Sequence, residues 1–178
     1  MRSLSLAILA LALAGCGLGS GATPSGSGAN DALQRGLAAH TAGKLDEATS
    51  LYFEALSKDP ANKFAFFNLG QIAHTKNNLV VAEAWYRLAL DSDKAMSSAL
   101  YNLGLVRQAV GDSIESASLL RRMIALDPSS ASAHYNLAVA LRSLGQTADA
   151  NTEFATAQRL DARLVPPTGS PPRPSPTR

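Results

Sequence analysis

The 178 residues, 46% of them hydrophobic, can bury one core and are too few for two. Sixteen basic against fourteen acidic side chains leave a formal charge of +2, and the densest basic cluster is Arg121-Arg122, so the chain offers no nucleic-acid surface. A single cysteine, Cys16, excludes a disulfide framework.

The first element is an export signal over residues 1–15: Met1-Arg2, an apolar run at 4–13, then Ala14-Gly15 before Cys16. The run is about ten residues where a membrane-spanning helix needs ~20, so it cannot anchor the chain by itself. Leu13-Ala14-Gly15-Cys16 resembles the lipobox of bacterial lipoproteins. That resemblance implies cleavage before Cys16, a diacylglyceryl group on its thiol and acylation of the new amine, which makes the lipid bilayer a partner. Ordinary secretion is the competing reading, because Ala12-Leu13-Ala14 also fits a small-residue cleavage site and would leave Cys16 a free thiol. Removing the signal takes Arg2 with it and leaves the mature chain nearly neutral. Residues 16–28, continuing to Asn30, are almost all Gly, Ser, Ala, Thr and Pro, a flexible linker with a reach of about 20 Å.

From Ala29 the chain repeats every 34 residues without insertion, with further starts at Lys63, Ser97 and Ala131. The eighth column reads Gly36, Gly70, Gly104, Ala138, small enough for two helices to approach; the fifteenth reads Gly43, Asn77, Gly111, Gly145, suited to the left-handed turn that ends a helix. The twentieth (Ala48, Ala82, Ser116, Ala150) and twenty-seventh (Ala55, Ala89, Met123, Ala157) fit the crossing of the second helix over the first. Tyr52, Tyr86, Leu120 and Phe154 at the twenty-fourth fill the space between them. Pro60 and Pro128 close the second helix of their repeats.

These columns, with Asn68-Leu69-Gly70, Tyr101-Asn102-Leu103-Gly104 and Tyr135-Asn136-Leu137-Ala138, resemble the tetratricopeptide repeat over residues 29–164. The resemblance implies an all-α, right-handed solenoid of four helix-turn-helix repeats (29–62, 63–96, 97–130, 131–164), eight helices in all. Lys94 and Ala162 depart from the family's terminal proline and Arg35 from its apolar seventh residue; Leu33, Phe66, Leu100 and His134 stand around a position that is often Trp. The helix over 147–159 is polar, as the end of a solenoid should be, whereas Leu119, Leu120, Met123, Ile124 and Leu126 read as buried. Residues 165–178 carry six prolines and read as a disordered tail.

No phosphate loop and no H-E-x-x-H stands in the chain. His40 and His74 share the twelfth position of successive repeats, and His134 reads as a packed core histidine. No metal, cofactor or enzyme activity is expected, an enzyme or a metal shared by His40 and His74 being the lesser alternative. In the family the first helices line a concave groove through positions two, five, six, nine, twelve and thirteen. Carried onto this chain, that gives Phe64, Phe67, Asn68 and Gln71, then Tyr101, Asn102 and Leu105, then Tyr135, Asn136, Val139 and Arg142. Such an aromatic, amide-rich surface suits an extended or helical peptide, with the Asn68, Asn102, Asn136 ladder pairing its backbone. Those Asn and Tyr residues serving only the fold is the competing reading. The fifth-position residues Leu33, Phe67, Tyr101 and Tyr135 lack the cations that chaperone-tail receptors use on a terminal carboxylate.

The chain is similar to small repeat-bearing lipoproteins that assemble pili and their secretin pores, and also to those that organise cell-wall enzymes. The first resemblance implies a pilus or secretion assembly factor; the second, an envelope scaffold. Gly17 in place of the aspartate of inner-membrane retention favours the periplasmic face of the outer membrane.

Overall fold

The computed structural model describes residues 25–166, so the signal segment, Cys16 and the tail from Pro167 onward lie outside the described residues. Eight helices follow in order: α1 (Ser25–Thr41), α2 (Leu45–Lys58), α3 (Lys63–Thr75), α4 (Leu79–Ser92), α5 (Ser97–Ala109), α6 (Ser113–Leu126), α7 (Ala131–Ser143) and α8 (Thr147–Leu160). Among the described residues none is long and apolar enough to cross a membrane. Each odd helix packs chiefly on the even helix that follows, and each pair on the next, which makes the chain a solenoid of four helix pairs.

α1 starts at Ser25 and not at Ala29, so the last residues assigned to the flexible linker are helical. Their Gly/Ser composition hides this, but the added turn lies against α2, where Lys58 Nζ reaches the Gly28 carbonyl at 3.5 Å. Tertiary packing here outweighs weak helix propensity.

The four turns between paired helices pass through Gly43, Asn77, Gly111 and Gly145, all at positive φ, as their column requires. Within each pair the eighth-position contact is close. A Cβ on Gly70 would sit 2.6 Å from the Tyr86 ring, and one on Gly36 2.7 Å from Tyr52, both rings being fully buried.

The even helices end alike whether or not a proline follows. Asp59, Asp93, Asp127 and Asp161 occupy the C-cap of α2, α4, α6 and α8. Each accepts at Oδ1 the backbone N–H two residues on, from Ala61, Ala95, Ser129 and Arg163 respectively. This aspartate column, unnoticed in the sequence, turns the chain at Lys94 and Ala162 as it does at Pro60 and Pro128.

Three apolar clusters form the core, and each spans the junction of neighbouring pairs. Trp85 touches the first two and stacks on Phe66 with ring centroids 6.0 Å apart, while Tyr101 and Ile124 touch the second and third. Leu69, Leu103 and Leu137 pack into the preceding pair; Arg35 holds the same position in the first described pair and ion-pairs with Asp31 and Glu54 instead. Leu119, Leu120 and Met123 are buried as expected, but Ile124 is half-buried and Leu126 exposed. Leu126 shares its column with Lys58, Ser92 and Leu160, all outside the packed face.

Polar groups tie the pairs as well. Arg107 of α5 meets Glu83 of α4, Asp112 and Glu115 at 2.6–2.8 Å, and Arg87 closes the ring onto Glu83 and Glu115. Burial alone would push the Glu83 carboxyl up; hydrogen bonds from Arg87 and Arg107 together outweigh it and hold it below the usual range. His134 is buried with both ring nitrogens facing oxygen, Nδ1 at 2.6 Å from Glu153 and Nε2 at 3.1 Å from the Pro128 carbonyl. It is therefore a packed core histidine tying α7 to α8 and to the preceding turn.

Candidate functional site

The odd helices lie side by side, and between α1, α3 and the start of α5 they leave a pocket of about 490 Å³. Of the eleven groove residues drawn from the sequence, Phe64, Phe67 and Asn68 line it. Leu33, Leu37 and Met96 complete an apolar wall with the two phenylalanines, while Asn30, Gln34 and Ser98 join Asn68 as its polar members. Phe67 is braced by the Tyr86 ring at 5.8 Å, whereas Phe64 stands half exposed at the edge with Lys63 Nζ 5.1 Å from its ring.

The other eight predicted residues lie outside this pocket, and several are tied to one another or to the core. Tyr101 OH accepts from Asn136 Nδ2 at 3.0 Å, linking α5 to α7. Tyr135 meets the Phe154 ring edge-on at 5.4 Å, and the Arg142 guanidinium sits 5.4 Å from that same ring. Gln71, Asn102, Leu105 and Val139 are half-buried. The pocket thus lies at the first three odd helices, and beyond it a side-chain hydrogen bond links α5 to α7.

The asparagine ladder has a first duty to the helices. Asn68, Asn102 and Asn136 each donate Nδ2 to the carbonyl four residues back, Phe64, Ser98 and Ser132, at 2.7–2.8 Å. What Asn68 has left for a ligand is its Oδ1, an acceptor, and the second N–H of its Nδ2.

The residues the sequence reading missed were within reach of its own rule. Asn30, Leu33, Gln34 and Leu37 hold positions two, five, six and nine of the first repeat, and Ser98 holds position two of the third. Met96 carries a different signal. At the equivalent place before α3 and α7, Asn62 and Ser130 cap the helix with their side chains; Met96 gives α5 no side-chain cap and lies in the pocket wall, 8% exposed. Met96 thus places apolar surface where its counterparts place a capping oxygen, and it belongs to the core as well as to the pocket wall.

Twelfth-position residues pack on the twenty-fourth-position rings. His40 Nδ1 lies 3.2 Å from the Tyr52 hydroxyl, whose pKa burial pushes up to about 12, and His74 meets the Tyr86 ring edge-on. Among the described residues no three His, Cys, Asp or Glu side chains gather as a metal site would require.

The sequence matches the tetratricopeptide-repeat family at residues 33–98 and 101–163. The chain belongs to that family. Tetratricopeptide repeats typically build protein-interaction scaffolds. Solved tetratricopeptide-repeat structures share the fold at low identity. A crystal structure of MamA superposes with a TM-score of 0.70 at 18% identity, covering 76% of this chain and 79% of that one. YrrB, described as having an unusual peptide-binding site, gives 0.71 at 20%, covering 75% and 69%. The first repeat domain of Spaghetti, bound to the HSP90 peptide SRMEEVD, gives 0.63 at 24%, covering 66% and 94%. No curated protein matches the chain.

Proposed function

We propose that this chain is a lipid-anchored interaction scaffold of the bacterial cell envelope that holds a segment of a partner protein in the pocket between α1, α3 and α5. The pocket itself carries the reading: five apolar side chains line an uncovered recess of about 490 Å³, and Phe64 is left 49% exposed beside it. Peptide binding by YrrB and by the Spaghetti domain supports a role of this kind. Acylation at Cys16 is supported by Leu13-Ala14-Gly15-Cys16, and residence on the periplasmic face of the outer membrane by Gly17. Among envelope roles, assembly of a pilus or secretion pore ranks ahead of scaffolding cell-wall enzymes, on resemblance to small repeat-bearing lipoproteins.

The test is a crosslinked pull-down from membranes, comparing the parent chain with a Phe64→Ala/Leu37→Ala variant and recording the intact mass of the mature protein. Tyr101 is a poor choice for this variant because it packs against two core clusters and bonds Asn136. Pilus or secretin subunits held by the parent and lost by the variant are the expected result, together with a mass carrying acyl chains on Cys16. Cell-wall enzymes held instead would move the assignment to the envelope scaffold; equal capture by both proteins would contradict the groove, and an unmodified thiol the anchor.

A further inference from the structure

Taking that pocket as the partner site, its lining also restricts what the partner presents. None of its nine lining residues is ionisable. The cations nearest in sequence are already committed: Lys63 Nζ lies 2.6 Å from Asp93, and Arg35 lies 3.4 and 3.6 Å from Asp31 and Glu54. A carboxylate, phosphate or ammonium entering the pocket would find no opposite charge in its lining, the cation at its rim, Lys63, being paired with Asp93, so the wall favours uncharged ligands over charged ones. Asn68 supplies the polar contact. One Nδ2 hydrogen is bonded to the Phe64 carbonyl, so its Oδ1 is left to accept and its second N–H to donate, a pairing that suits a main-chain amide.

We propose that the pocket takes an uncharged apolar stretch from the interior of a partner polypeptide, two or more large side chains lodging between Leu33, Leu37, Phe67 and Met96, with a main-chain N–H of that stretch donated to Asn68 Oδ1. A free C-terminus or an acidic tail is disfavoured by the same wall. Met96 fits this, since the methionine supplies adaptable apolar surface where a polar cap would have placed an oxygen.

The probe is a random decapeptide library displayed away from its termini and selected on the immobilised full chain. Enriched peptides should carry two or more large apolar residues with no charge between them. Leu37→Glu should weaken them at least about tenfold, and raising salt from about 50 to about 500 mM should leave their affinity unchanged. Phe64→Ala, at an exposed position, gives a second variant that leaves the fold intact, and far-UV circular dichroism checks both. Enrichment of acidic peptides that salt weakens and Phe64→Ala abolishes would overturn the apolar class while keeping the pocket. Peptides indifferent to both substitutions, or no enrichment at all, would overturn the pocket as partner site together with this proposal.

Discussion

Gly70 and Gly104 share a repeat position but not its tolerance. A Cβ on Gly70 would lie 2.6 Å from the buried Tyr86 ring, whereas on Gly104 the nearest atom is Leu120 Cγ at 3.0 Å, on a chain that can shift. Alanine gains ~1 kcal/mol of helix propensity at either site, against roughly 1–3 kcal/mol for overpacking a filled core. Gly70→Ala should therefore lower stability by about 1–2 kcal/mol in denaturant unfolding, and Gly104→Ala should be close to neutral. Equal effects would show that the Tyr86 ring does not set the approach. Both columns that matter here, the small eighth residue and the left-handed fifteenth, were legible in the sequence because each recurs in all four repeats. The aspartate column recurs just as strictly and went unread, since an aspartate after a helix also reads as surface polarity until its Oδ1 is seen on the N–H two residues on. Met96 was legible only by contrast with Asn62 and Ser130.

Helix ends and helix junctions set the response to acid. The Asp93 carboxyl is held below its usual value first by Lys63 and then by the Ala95 N–H; Asp127 is held low by the Ser129 hydroxyl and N–H, and Asp161 falls to about 2 beside Arg163. Carboxyls depressed by folding contribute stability above their unfolded pKa of about 3.9, and that contribution is lost as pH falls through this value toward the folded one. The unfolding temperature should therefore fall between about pH 5 and pH 2.5, and less steeply in Asp93→Asn, which keeps an oxygen for Ala95 but gives up the charge facing Lys63. An identical slope in the two proteins would remove Asp93 from the explanation. Arg107 acts at a junction, joining α4 to α5 and α6 through three carboxylates. Its side chain is 20% exposed, between the exposed and buried limits, so Arg107→Leu should cost roughly 1–2 kcal/mol. Loss of stability should disappear in a double variant with Glu83→Gln only to the extent that their direct pairing carries it. The contacts between helix pairs were not readable from the chain, because Arg107 and Glu83 stand 24 residues apart and Lys63 and Asp93 stand 30 apart, with nothing in their spacing to single them out.

As a whole the chain is a stack in which each pair of helices meets only its neighbours, so a local change at one end leaves the other intact. That property separates binding from folding: the pocket belongs to the first three odd helices, and the Tyr101 to Asn136 bond links α5 to α7 beyond it. The 34-residue period was sufficient to read the architecture and the pairing. It could not tell which part of the groove holds the pocket, because that depends on side chains meeting across repeats, as Tyr101 meets Asn136. The decisive measurement is therefore positional. A photo-reactive benzoylphenylalanine would be placed at Phe64 and, in a separate protein, at Val139, each in the full chain in the cells that produce it. An adduct with the partner from position 64 and none from position 139 is the predicted result; an adduct from 139 with none from 64 would contradict the assignment of the partner site to the pocket between α1, α3 and α5.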